Sequence, residues 1–201
     1  MILLCNEREI QNYIQHGMRE LQTIGLLDML LNHPYTMYHS LNVARYSLQI
    51  ALSGNYAPID MQLLALGGIC HDIGKAKIPT KLLNKPGALS PEEFRIIMKH
   101  TEYGYHILQK ADMPEEVCDI ARDHHEKLDG SGYTGFLRPN RLTQIVTVAD
   151  IFSALTEERD YHEPRDIVTA LDIMDEEKGI NKENVEILKN SIVGAALKRG
   201  A

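Results

Sequence analysis

The chain has 201 residues, 44% of them hydrophobic and 24% charged, which is enough for one domain with a substantial core and too apolar for a disordered segment. Its 28 acidic residues outnumber 21 basic ones for a formal net charge of −7, and no Lys/Arg stripe forms, so a polymeric nucleic acid is excluded as partner while a small anionic nucleotide is not. No apolar run approaches the roughly 20 residues that cross a bilayer, no basic-then-apolar leader opens the sequence, and Cys5, Cys70 and Cys118 form neither a disulfide framework nor a C-x-x-C pair, so a cytoplasmic protein away from membranes is expected.

Apolar residues recur at three- and four-residue spacing almost throughout, and no segment alternates with the hairpin signals of a sheet, which predicts an all-α fold. Residues 7 to 32 read as one or two amphipathic helices with Ile10, Ile14, Leu21, Ile24, Leu27 and Leu31 inward, packed on the same domain or serving as a dimerisation arm. Pro34 opens a helix to about Leu52 that carries His39, and a third helix, about Asp60 to Asp72, stops at Gly74. Ser90, Pro91 and Glu93 form a capping box for a helix reaching about Lys110 and including His100. Pro114 starts a helix that delivers His124 and His125 near its end. Residues 126–141, EKLDGSGYTGFLRPNR, are too rich in glycine and proline for a helix and form the one long loop. A buried helix from Leu142 to about Thr156 carries Asp150, and two more fill about Arg165 to Glu177 and Lys182 to Lys198.

Five separate helices or helix ends therefore each supply imidazole or carboxylate: His39, His71-Asp72, His100, His124-His125 and Asp150. Imidazole with carboxylate and no thiolate suits iron, manganese or zinc in a working site more than a structural zinc site. Seven side chains are too many for one ordinary ion, and a shared carboxylate, Asp72, would let two ions sit roughly 3.5–4 Å apart, the arrangement that clamps a phosphoryl group in transfer. A histidine-rich core is the competing reading of the same residues, and His16, His33, His106 and His162 are expected to be ordinary core histidines. Lys75 follows Gly74 and is open to two readings, a helix-capping surface lysine or a cation for transition-state charge.

HDIGK at 71–75, LLNKPGALSPEE at 82–93, HHEKLDGSGY at 124–133 and DIFSALTEERDY at 150–161 together resemble the HD-GYP family of the HD phosphohydrolase superfamily, whose members hydrolyse cyclic di-GMP. The resemblance runs from about residue 35 to 198 and implies an HD-domain helical bundle, a five-helix core with additional N- and C-terminal helices. It divides the chain into an N-terminal helical segment, 1–33, packing on the core, and a metal-dependent phosphohydrolase domain, 34–201. Carried over by position, it implies that His39, His71 and Asp150 hold one divalent ion, that His100, His124 and His125 hold the other, and that Asp72 bridges them. Iron is the first choice, with manganese or zinc as alternatives. The resemblance gives Asp72 and Lys75 the catalytic roles and makes Lys75, Arg159 and Tyr133 the substrate contacts. It implies cleavage of cyclic di-GMP to the linear dinucleotide by a metal-bridging hydroxide. Another cyclic dinucleotide or nucleotide as substrate, or a diiron or nucleotide-binding sensor module without turnover, stays open.

The departures are specific. Tyr35 stands where some members carry a glutamate for a third metal, so two ions are expected. The GYP string reads Gly132-Tyr133-Thr134, the aspartate usual three residues after Asp150 is Ser153, and Asp160 replaces a proline after Arg159. A homodimer, and a signalling protein docking through the 126–141 loop, are left open.

Overall fold

The computed structural model describes residues 2–31, 34–54, 56–135, 138–158 and 163–199, with side chains at 1–6, 34 and 194–201 left aside. Among the described residues there are helices and no strand. They are α1 (Ile2–Thr23), α2 (Leu27–Leu31), α3 (Pro34–Ser53), α4 (Pro58–Cys70), a 3-10 turn at Ile73–Lys77, α5 (Thr80–Leu83), α6 (Pro91–Met98), α7 (His100–Lys110), α8 (Glu115–Asp123), α9 (Arg141–Thr156), α10 (Ile167–Glu176) and α11 (Lys182–Arg199). Among the described residues no helix is long and apolar enough to cross a membrane.

Helix starts follow local chemistry. Ser90 Oγ accepts from the Glu93 N–H at 3.2 Å while Glu93 Oε2 accepts from the Ser90 N–H at 2.7 Å, closing the capping box at α6. Asn140 and Asp166 accept from the N–H groups of Thr143 and Thr169 to start α9 and α10.

Five helices make the centre of the bundle. Helix α3 lies between α4 and α9, α8 packs on α4 and α9, and α7 packs on α8 and on the 3-10 turn. Helix α1 lies on α3 and α4 and buries Ile10, Ile14 and Leu21 in the same hydrophobic core as Leu48, Ile69 and Phe152. Helices α10 and α11 close the far side through Leu171, Met174 and Leu188. The burial of such side chains, worth about 1.5–3 kcal/mol each, holds the helices together.

Two expectations fail locally. Ile24 and Leu31 are exposed, at 41% and 50%, and Leu26 and Leu30 are buried in their stead. Gly25 adopts a left-handed φ of 77°, so α1 stops at Thr23 and the apolar phase restarts in α2. The single helix expected over 90–110 is two, bent at Lys99 between α6 and α7. In addition, His16 and His106 are exposed surface residues rather than core histidines, and His33 and His162 lie outside the described residues.

Candidate metal centre

The bundle gathers His39, His71, Asp72, His100, His124, His125 and Asp150 around one point. His39 comes from α3, His100 opens α7 and Asp150 comes from α9. The two dipeptides solve a geometric problem, because adjacent residues in a helix point about 100° apart. Both sit where a helix has just ended, His71-Asp72 after α4 and His124-His125 after α8, so the chain can turn both side chains inward. Thr147 Oγ1 donates to the His124 carbonyl at 2.8 Å and ties that end to α9.

Among the described residues three donor groups emerge: His39, His71 and Asp150; His100, His124 and His125; and His71, Asp72 and His124, each with donor atoms within 4.8 Å of one another. Asp72 lies between the first two groups. Its Oδ2 is 3.3 Å from His71 Nε2 and its Oδ1 is 3.3 Å from His100 Nε2 and 3.8 Å from His124 Nε2. Asp150 Oδ1 is 2.9 Å from His39 Nε2 and 3.9 Å from His71 Nε2. His39, His71, Asp72, His100 and His124 are at most 3% exposed, whereas His125 and Asp150 are partly exposed and mark the mouth.

The ring orientations are fixed from behind. The Nδ1 atoms of His71, His100 and His124 face the backbone carbonyls of Gly68 at 2.8 Å, Ile97 at 2.7 Å, and Ile120 and Ala121 at 3.1 Å. A carbonyl only accepts, so each Nδ1 carries the hydrogen and each Nε2 presents a lone pair to the centre. His39 is held differently, its Nδ1 facing Glu157 Oε2 at 2.9 Å.

The charges complete the test of fit. Burial, as the largest cause, depresses His100, His124 and His125, the last to about 4, so these rings are neutral and ready to donate. Burial opposes ionisation of Asp72 and Asp150, but Lys75 and His71 hold Asp72 well below the carboxylate range, and His39 does the same for Asp150. His71 Nε2 and Asp72 Oδ1 are buried with no hydrogen-bond partner among the described residues. An unsatisfied lone pair beside an unsatisfied buried carboxylate oxygen is costly, and a divalent cation would satisfy both. The residues therefore fit divalent metal.

Lys75 Nζ rests on Asp72 Oδ2 at 2.5 Å with its side chain 28% exposed, a contact with the centre instead of with the carbonyls that end α4. The loop arches over the other side. Tyr133 lies on the His125 ring with centroids 4.4 Å apart and meets Phe94 at 5.8 Å. Arg159 lies outside the described residues. Sequence reasoning missed two buried glutamates: Glu157, and Glu126, whose Oε1 accepts from the Thr134 N–H at 2.9 Å and closes the loop on itself. The loop is anchored at long range as well, by a 2.7 Å bond from the Leu128 N–H to the Gly179 carbonyl and an ion pair between Lys127 and Glu177.

A stability optimum follows for chelator-treated protein. Burial lowers the His39 pKa, but the bonds to Asp150 and Glu157 outweigh it and raise it from 6.5 to about 9. A raised pKa contributes stability that is complete below the unfolded value and lost as pH climbs through the folded one, so metal-free protein should weaken between pH 6.5 and 9. The depressed histidines act in the opposite sense, their neutral burial being penalised as pH falls from 6.5 towards 4. Thermal melts in chelator should peak near pH 6.5, and a melting temperature still rising at pH 9 would contradict the His39 bonding.

An HD domain family model matches residues 5–182. The chain is 39% identical over 146 residues to 3'3'-cGAMP-specific phosphodiesterase 3 of Vibrio cholerae serotype O1, covering 71% of this chain and 32% of that protein. It is 35% identical over 156 residues to the cyclic di-GMP phosphodiesterase of Thermotoga maritima, covering 74% of this chain and 42% of the relative. The chain thus spans only about a third to two fifths of these curated relatives. The HD domain of the L. monocytogenes phosphodiesterase PgpH, solved in complex with cyclic-di-AMP, superposes with a TM-score of 0.66 at 22% identity, covering 85% of this chain and 94% of that one. At that identity the likeness speaks for the fold, a helical HD bundle.

Proposed function

This chain belongs to the HD domain family, in its HD-GYP branch, and from that membership we propose that it is a metal-dependent phosphodiesterase that opens a cyclic dinucleotide. The observation that carries the reading is the convergence of seven imidazole and carboxylate side chains on one partly open centre that leaves His71 Nε2 and Asp72 Oδ1 unsatisfied.

In this reading His39, His71 and Asp150 hold one ion, His100, His124 and His125 hold a second, and Asp72 serves both. Divalent ions supply Lewis-acid charge and lower the pKa of water, which brings phosphodiester hydrolysis within reach near neutral pH. Iron comes first in the proposal, with manganese and zinc as alternatives the same donors accept. The protein's own part is positioning and charge. The carbonyls behind His71, His100 and His124 keep their rings aimed, and Asp72 and Asp150 balance the cations without needing a proton. Lys75, paired with Asp72 and 28% exposed, is proposed to turn to a non-bridging phosphoryl oxygen, where charge builds as the 3′-oxygen leaves. Tyr133 offers an aromatic face from the loop, and Arg159 is proposed as a further phosphate contact.

Cyclic di-GMP is the proposed substrate and the linear dinucleotide the product. A second reading, cleavage of 3'3'-cGAMP, is favoured by the 39% identity to a relative named for it. Anaerobically purified protein loaded with ferrous iron or Mn2+ should be given cyclic di-GMP, 3'3'-cGAMP and cyclic di-AMP side by side, with products resolved by chromatography. Faster turnover of cyclic di-GMP supports the first reading and faster turnover of 3'3'-cGAMP the second. Loaded protein that binds all three and releases no product sinks the enzymatic proposal in favour of a sensor.

A further inference from the structure

The histidines at the centre are not all braced alike. His71, His100 and His124 each rest Nδ1 on a carbonyl three or four residues back, whereas His39 rests on a carboxylate 118 residues away in sequence. That carboxylate, Glu157, is only 6% exposed. Its second oxygen, Oε1, accepts from Asn42 Nδ2 at 2.6 Å and from Ser153 Oγ at 2.5 Å. Glu157 also stands at the C-cap of α9, where the negative end of the helix dipole disfavours an acid. Three donors from α3 and α9 hold it there against that local preference.

Resting on the metal-centre reading above, we infer that Glu157 is the positioning residue of the His39 metal site and replaces the carboxylate that the family pattern puts at residue 153. A charged acceptor at Nδ1 fixes the tautomer and makes Nε2 a stronger donor, so the ion held by His39, His71 and Asp150 binds more tightly than a carbonyl brace would allow. The substitution is local in space. Glu157 caps α9 four residues after Ser153, its N–H bonded to the Ser153 carbonyl at 3.0 Å, and Ser153 Oγ already touches the glutamate oxygen. An aspartate at 153 would therefore place its carboxylate close to where that of Glu157 now lies, and the serine found there donates to that glutamate.

The test reads metal uptake, with or without turnover. Chelator-stripped wild type, Glu157→Gln and the double variant Ser153→Asp/Glu157→Ser would each be titrated with Mn2+, following free ion by electron paramagnetic resonance. Wild type should bind two ions. Glu157→Gln should keep one site unchanged and weaken the other by about 10- to 100-fold, and the double variant, with its acid one turn earlier, should recover most of that loss. Two tight ions in Glu157→Gln, equal weakening of both sites, or a double variant as impaired as Glu157→Gln would overturn the inference, since a glutamate that only ties α9 to α3 predicts lower stability without a site-selective loss. Wild type that takes up no Mn2+ would instead overturn the metal centre itself.

Discussion

Replacing Asp72 by asparagine should lower turnover on the order of 10³-fold and leave the protein holding fewer than two ions. Asparagine keeps the shape and removes the charge, so the loss isolates what the carboxylate does. Both oxygens of Asp72 face the inner side of the centre, Oδ2 paired with Lys75 and near His71, and Oδ1 near His100 and His124 but without a hydrogen-bond partner among the described residues. Among the described residues it is the acid placed between the His39 and the His100 groups, and it is 2% exposed. A neutral amide cannot compensate two cations, and its NH2 is a donor that can neither accept from the Lys75 ammonium nor ligate a cation as the carboxylate oxygen would. The effect should fall on kcat more than on KM, because the proposed substrate contacts, Lys75 and Tyr133, are left in place. Metal analysis of purified variant and wild type, followed by rates under saturating Mn2+, decides the matter: an Asp72→Asn protein with two ions and the wild-type rate would remove the bridging role.

Part of that centre is legible in the sequence because His71-Asp72 and Asp150 interrupt apolar helical runs with groups that apolar surroundings penalise, whereas His39, His100 and His124-His125 stand in polar stretches and stand out only by their residue type. His71-Asp72 follows directly on LLALGGIC, and Asp150 sits within the buried run of α9. What stayed hidden depends on backbone direction or on distant partners. The three-and-four spacing from Pro91 to Lys110 continues across Lys99, so nothing in it tells that the chain bends there to aim His100 at Asp72. Gly25 carries no mark showing whether it continues or breaks the helix, and only its left-handed φ moved Leu26 and Leu30 inward in place of Ile24 and Leu31. Glu157 lies in the charged string TEERD and looks like one more solvated acid until His39 and Asn42 of α3 are folded against it. Similarly, the 126–135 loop depends on the Gly179 carbonyl, which local composition does not announce.

Gly74→Ala should be the most damaging glycine-to-alanine change among the described residues, costing about 3 kcal/mol or more of stability and the metal centre with it. The φ of Gly74 is not left-handed, so the argument rests on space alone. A methyl group there would come within 1.9 Å of the His100 carbonyl oxygen and 2.5 Å of the Gly104 nitrogen, and both are backbone atoms that no rotamer change can move aside. The 3-10 turn carrying Lys75 would have to withdraw from the start of α7. That movement separates Asp72 from His100, now 3.3 Å apart, and so opens the contact between the two halves of the centre. Gly104, on the opposite side of the same contact, supplies the control. A methyl group on it meets Ala121 Cβ at 3.3 Å and Gly74 N at 3.5 Å, a tightness that a few tenths of an ångström would relieve. Gly104→Ala should therefore cost no more than about 1 kcal/mol, helped by the better helix propensity of alanine. Urea melts of the two variants in chelator measure the difference without metal, and Mn2+ titration then shows whether Gly74→Ala has lost one ion or both. Equal stabilities for the two alanine variants would mean that the turn and α7 are not held in the backbone contact from which the whole centre is built.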